Sequence, residues 1–194
     1  MRILVLYGST HGQTAKIAAA LAKAVRDQGH AVDVREAGKG DCRPEDYAGV
    51  IVAASVHAGG YQKAVRRWVQ SHAAVLNTIP TAFVSVCLGI LQHDAKVDAE
   101  LQSIARRFGD ATGWQPTVVK PVAGALPYTK YNWFLRRMMK RIAAKAGGDT
   151  DTSRDYEYTD WRDLRAFAEQ FAHTVAGRPV KIATAAGASR GGAG

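Results

Sequence analysis

The chain has 194 residues, 47% hydrophobic and 22% charged, with 26 Lys and Arg against 17 Asp and Glu and a formal net charge of +9. That composition excludes a disordered or fibrous protein, and the length suits one domain that buries roughly 70% of its unfolded surface unaided. Cys42 and Cys87 are too few for a disulfide framework or a cysteine-rich zinc site, so no metal is expected. No apolar run approaches the roughly 18 residues of a membrane span, and residues 3–7 fall short of a signal-peptide core. The expectation is a cytoplasmic protein.

Residues 2–7 form a continuous β-rich run, the pattern of a strand buried on both faces. A Gly/Ser/Thr loop follows over 8–14. Ile17, Leu21 and Val25 then repeat every fourth residue of an Ala-rich helix that ends before Gly29. Residues 31–36 read as a second strand, 37–46 as a polar connection containing Pro44, and 50–54 as a third, buried strand. A second Gly-containing loop covers 55–61. Val65, Trp68, Val69, His72 and Leu76 mark a helix, 81–87 a fourth strand, and Val97, Leu101, Ile104, Ala105 and Phe108 another helix.

The fifth strand runs from near Pro116 to about Ala125. Pro121 inside it has no amide donor, which predicts a sheet edge or an interruption. Trp161, Leu164, Phe167, Phe171 and Val175 define a closing helix with Thr159 or Asp160 as N-cap. Residues 178–194 are rich in Gly, Ala and Ser and are expected to be a flexible tail, leaving 1–177 as a single domain. Strand and helix alternate throughout, which predicts an α/β fold with a parallel sheet covered on both faces.

The positive charge is concentrated. Residues 126–146 hold Lys130, Arg136, Arg137, Lys140, Arg141 and Lys145 and no acid, while the other 173 residues hold 20 basic and 17 acidic side chains. Tyr128, Tyr131, Trp133, Phe134, Met138 and Met139 lie in the same stretch. Leu135, Met138 and Ile142 share one helix face, with Arg137, Lys140, Arg141 and Ala144 on another. A basic helix with an apolar stripe can lie on an anionic bilayer, where each Lys or Arg adds ~1 kcal/mol. Alternatively it is a solvated helix that docks its stripe on the core. Nucleic acid ranks last as a partner, because no recognised binding motif accompanies the patch.

Ligands of doubly wound sheets bind beyond the carboxyl ends of the strands. Gly8, Ser9, Thr10, His11, Gly12, Gln13 and Thr14 occupy that place, running into a helix N-terminus whose free amides attract an anion. The loop suits a phosphate monoester; with no ligand it is a Ser/Thr-capped helix. An NTP-binding P-loop is excluded, because Gly8 and Gly12 stand one residue too close and Gln13 replaces the Lys. No G-x-G-x-x-G dinucleotide fingerprint is present, nor the acidic residues of a phospho-acceptor site.

Ser55, Val56, His57, Ala58, Gly59 and Tyr61 form the loop after the third strand, and Cys87, Leu88 and Gly89 the one after the fourth. Three loops around one crevice can hold a phosphate and a flat ring edge-on, the shape of flavin mononucleotide (FMN). His57 is either a proton acceptor or a shaping side chain of the wall. Tyr61 packs either at the ring edge or on the core. Cys87 reads as a small hydrophobe, since no second cysteine is placed to resolve it.

On these residues the sequence resembles the flavodoxin superfamily. More narrowly, it is similar to the menaquinone-dependent protoporphyrinogen IX dehydrogenases. The narrow likeness runs over residues 2–173: S-T-H-G-Q-T, A-S-V-H-A-G-G-Y, F-V-S-V, V-A-G-A-L-P-Y, the aromatic and basic insert, G-G-D-T-D-T and Y-T-D-W. The resemblance implies a five-stranded parallel sheet of order 2-1-3-4-5 with the insert at the fifth strand. It also implies non-covalent FMN in the three loops, and electrons passing from a porphyrinogen to a membrane quinone, menaquinone or ubiquinone.

Such a protein would sit peripherally on the inner face of the cell membrane. Trp133, Arg136, Arg137, Lys140 and Arg141 would then meet the substrate or the membrane. Two departures stand out: His11 replaces the Thr common in flavodoxin phosphate loops, and the loop at 88–92 lacks a flavin-stacking aromatic. A flavodoxin-type electron carrier and an NAD(P)H:quinone reductase are the alternative functions. Catalytic residues and oligomeric state stay open.

Overall fold

The computed structural model describes residues 1–57, 59–92, 94–145 and 148–177, and at Leu135 and Lys145 the backbone alone. Ala58, the end of the insert at Ala146, Gly147 of the G-G-D-T-D-T motif and the tail at 178–194 lie outside the described residues.

Five parallel strands, β1 (Arg2–Gly8), β2 (Ala31–Glu36), β3 (Gly49–Ser55), β4 (Thr81–Cys87) and β5 (Val118–Ala123), form a sheet of order β2-β1-β3-β4-β5. The period-2 alternation of side chains explains why both faces are covered. Ile3 and Val5 of β1, with Ile51 and Val84, face α1 (Gln13–Asp27) and α5 (Trp161–Val175), meeting Ile17, Leu21, Leu164 and Phe171. Leu4 and Leu6, with Val50, Val52 and Phe83, face α2 (Lys63–Leu76) and α3 (Ala95–Thr112), meeting Val65, Val69, Phe108 and Trp114. Burying each such side chain contributes about 1.5–3 kcal/mol. Asp160, rather than Thr159, caps α5 by accepting from the Arg162 and Asp163 amides at 3.0 and 2.9 Å.

The order places β1 and β3 side by side although β2 intervenes in the chain. The connections leave in opposite directions there, which opens a crevice at the strand ends. β5 is the predicted edge strand. It stops at Ala123, short of the expected Ala125, because the chain next forms a separate antiparallel ribbon. In that ribbon β6 (Ala125–Leu126) pairs with β7 (Tyr156–Glu157).

Between β6 and β7 the chain makes a 3-10 turn at Tyr128–Lys130 and the helix α4 (Trp133–Lys145). Leu126, Tyr128, Tyr131 and Ala143 form a third small core, against which Leu88, Met139, Tyr156 and Tyr158 pack. The insert helix therefore docks through Met139 and Ala143. The stripe read from the sequence turns outward: Met138 and Ile142 are 42% and 43% exposed, and Trp133 and Phe134 are 75% and 70% exposed. Periodicity correctly grouped Met138 with Ile142, but the small core is tyrosine-rich and accepts the neighbouring face.

Candidate functional site

The loop after β1 is shaped by two glycines. A Cβ on Gly8 would lie 2.5 Å from Val65 Cγ2, so only glycine lets β1 end against α2. Gly12 has φ +98° and precedes α1 without a side-chain cap. Ser9 Oγ accepts from the Gly12 amide at 3.0 Å and closes the bend. The first turn of α1 holds no acidic residue. The orphan amides and positive dipole end of α1 are therefore open to an external anion. Thr14 is buried at this point, Ser9 half-buried and Thr10 exposed. The Gln13 side chain is turned aside, donating to Thr159 Oγ1 at 2.9 Å; Thr159 in turn donates to the Ala123 carbonyl at 2.8 Å.

The loop after β3 is a tight bend in which the His57 and Gly60 backbones exchange hydrogen bonds of 2.8 and 3.0 Å, with Gly59 at φ +75°. Val56 ties the loop to β4 by donating to the Val86 carbonyl at 2.9 Å. Ser55 Oγ accepts from Gln62 Nε2 at 2.7 Å and lies 2.9 Å from His57 Nε2. Gln62 Oε1 is buried and has no hydrogen-bond partner. It lies beside Gly8, 3.1 Å from where a Cβ on that glycine would be. Desolvation first, and the neighbouring His11 second, hold the His57 imidazole below its ordinary pKa.

Tyr61 extends into the core. Its ring meets Phe83 and Phe108, each at 4.9 Å between centroids, and its hydroxyl pairs with Ser85 Oγ at 2.8 Å. In the third loop, burial pushes the Cys87 thiol up, opposed by hydrogen bonds from the Ile90 and Gly89 backbones. Cys87 is thus a neutral thiol folded into its own turn. Leu88 leans on the small core of the insert. A Cβ on Gly89 would crowd Val97 Cγ1 at 3.2 Å, which holds this loop close to α3.

The insert reaches the same crevice. The His11 ring stands edge-on to His57 at 6.2 Å and to Tyr131 at 5.0 Å, so a row of rings runs from the β3 loop through the β1 loop to the insert. Lys130 Nζ lies 3.9 Å from where a Gly12 Cβ would be. Neither Lys130 nor Tyr131 stood out in the sequence as a neighbour of the β1 loop.

Arg136 is engaged with the backbone, its Nε donating to the Tyr128 carbonyl at 3.0 Å and its guanidinium to the Tyr131 carbonyl at 3.3 Å. Arg137, Lys140 and Arg141 are exposed. Trp133, Phe134, Arg137, Met138, Arg141 and Ile142 border a groove of ≈ 440 Å³ along the outer face of α4.

A flavodoxin-domain family profile matches residues 4–153, and this chain belongs to that family. Among solved structures, oxidised flavodoxin 2 from Bacillus cereus superposes with a TM-score of 0.54 at 15% identity, covering 90% of this chain and 99% of that one. A flavodoxin from the domain Archaea gives 0.53 at 12% identity, covering 91% and 99%. These two show the fold.

Curated relatives narrow the placement. A protein of Escherichia coli (strain K12) named protoporphyrinogen IX dehydrogenase (quinone) is 36% identical over 174 residues, covering 89% of this chain and 96% of its own length. A Leishmania major protein of the same name is 33% identical over 175 residues, covering 88% and 74%. Within the flavodoxin-domain family, the chain belongs with these dehydrogenases.

Proposed function

We propose that this protein oxidises protoporphyrinogen IX to protoporphyrin IX, a step of haem synthesis, with FMN as cofactor and a membrane quinone, menaquinone or ubiquinone, as final acceptor. The observation that carries the reading is the β1 loop. Gly12 leaves the N-terminus of α1 uncapped, no acidic side chain occupies its first turn, and the buried, unpartnered Gln62 Oε1 lies beside Gly8 at the end of β1. Those residues fit a phosphomonoester on a polar, ring-bearing chain. Identity of 36% to a dehydrogenase of that name supports the substrate class.

In this reading the backbone and hydroxyls of Ser9, Thr10, His11, Gly12, Gln13 and Thr14 hold the phosphate end. The loops of Ser55, Val56, His57 and Gly59 and of Cys87, Leu88 and Gly89 wall the ring. When bound, FMN supplies the two-electron acceptance that these side chains lack. His57, kept neutral near pH 7, has one ring nitrogen without a proton that could take one up as hydrogen leaves the substrate, and its Nε2 is held 2.9 Å from Ser55 Oγ.

The outer face of α4 meets the macrocycle with its propionates, or the bilayer that supplies the quinone. Its exposed Trp133, Phe134, Met138 and Ile142 offer apolar area, and Arg137, Lys140 and Arg141 offer charge. Among the described residues no helix is long and apolar enough to cross a membrane, so attachment in this reading is peripheral.

Anaerobic stopped-flow tests the proposal directly. The FMN-loaded protein is mixed with protoporphyrinogen or with NADPH, and a quinone is then added. Fast bleaching by protoporphyrinogen, followed by quinone-dependent turnover, is expected. Bleaching by NADPH alone would assign a nicotinamide:quinone reductase instead. Slow reduction by both, with rapid exchange to a partner protein, would assign an electron carrier.

A further inference from the structure

The Lys130 ammonium stands at the N-terminus of a helix. Its Nζ hangs over Gly12, at the positive end of α1. Among the described residues Lys130 makes no ion pair. Glu157 is committed to Lys16 at 3.1 Å. Asp155, just before β7, is the carboxylate that faces Lys130 electrostatically, but it makes no ion pair with it, and its Oδ1 accepts from the Thr129 amide and hydroxyl at 2.9 and 2.8 Å. An ammonium and a helix N-terminus, each positive, repel one another unless negative charge lies between them.

The position of Lys130 is not that of a free surface arm, because the turn that carries it is fastened on several sides. Its amide donates to the Pro127 carbonyl at 3.0 Å and that of Tyr131 to the Tyr128 carbonyl at 3.2 Å. Arg136 ties the Tyr128 and Tyr131 carbonyls together from α4. The Tyr131 ring is buried and stands edge-on against His11. Burial first pushes its phenol up to about 12, so it remains a neutral packing group.

We propose that Lys130 is the counter-cation of the phosphate held at the N-terminus of α1, so that the insert completes the cofactor site as well as presenting an outer face. The inference rests on the FMN reading above, and it adds to that reading a phosphate contact from a segment remote in sequence. A charged contact of this kind discriminates between flavins that differ only in the phosphate. FMN needs the lysine; riboflavin, with the same ring and ribityl chain, does not.

The test strips flavin from the full-length protein and titrates the apoprotein with FMN and with riboflavin, following flavin fluorescence at two salt concentrations. Lys130→Gln is expected to weaken FMN binding by about tenfold and to flatten its salt dependence, leaving riboflavin affinity unchanged. Lys130→Arg is expected to keep most of the FMN affinity. Because Lys130 is exposed, neither variant threatens the fold. Native FMN affinity in Lys130→Gln would overturn the proposal, as would equal losses for both flavins, which would make the residue a brace for the loop. Failure of the unaltered protein to bind FMN would instead overturn the cofactor reading itself, and the lysine with it.

Discussion

The sheet and the insert use apolar side chains in opposite ways. In the sheet, alternation sends Ile3 and Val5 to one helical layer and Leu4 and Leu6 to the other, and all four are fully enclosed. In the small core at the insert, tyrosines make up half of the residues, and two of them are tied by their hydroxyls: Tyr128 donates to the Asp149 carbonyl and Tyr158 to Asp149 Oδ2, both at 2.8 Å. The large apolar side chains Trp133 and Phe134 stay outside. Stability thus resides mainly in the sheet and its helices, whereas the insert leaves large apolar side chains exposed.

That contrast can be broken most severely in the sheet. Trp114 is fully buried and donates to Thr81 Oγ1 at 3.1 Å, so Trp114→Ala leaves both a cavity and an unpaired hydroxyl. Urea unfolding should show a loss of about 3–5 kcal/mol. Tyr128→Phe removes one hydrogen bond and no packing, so the expected loss is about 1 kcal/mol. It should appear first as faster hydrogen exchange within the insert, with the sheet amides unaffected.

Replacing Trp133 and Phe134 together by Ser should leave the free energy of urea unfolding within about 0.5 kcal/mol of native. Partition onto anionic vesicles or porphyrinogen turnover should fall instead. A variant that unfolds without losing either would reverse the comparison.

The smallest effect is a pH slope. His57 is held below the ordinary imidazole pKa of about 6.5. Between that lowered value and 6.5 the unfolded chain binds more protons than the folded one. Stability should therefore rise with pH across the window and be lost on acidification. His57→Gln should flatten that slope in unfolding curves taken from pH 5 to 8.

The fold could be read from the sequence wherever periodicity and burial coincide. The run through β1, the spacing of Ile17, Leu21 and Val25, and the cap at Asp160 each combine a local pattern with a local cause. The ribbon of β6 and β7 could not be read, since two-residue strands have no period and their pairing is set by the small tyrosine core. The direction of the α4 stripe stayed open between bilayer and core for a related reason: periodicity says which residues share a side, not which side the rest of the molecule accepts.

In the candidate site, Gly12 and the two loops were recognisable from strand–turn–helix grammar. The approach of Lys130 and Tyr131 to the β1 loop was not, because it depends on how a distant segment folds back. Tyr61 shows the same limit. A loop aromatic has two places to go, and the pocket between Phe83 and Phe108 takes its ring inward.

Pro121 also bears on how copies of this protein behave when crowded. It lies within β5, the outermost strand on its side of the sheet, with exposed Val118 and Val119 close by. A bare margin of that kind invites a second chain to add its own strand and begin a fibril. With one donor missing from the row, and Lys120 beside it, the margin makes a poor template. Exchanging Pro121 for Val would repair the row, and turbidity growing with concentration would be the sign that a safeguard against self-association had been removed.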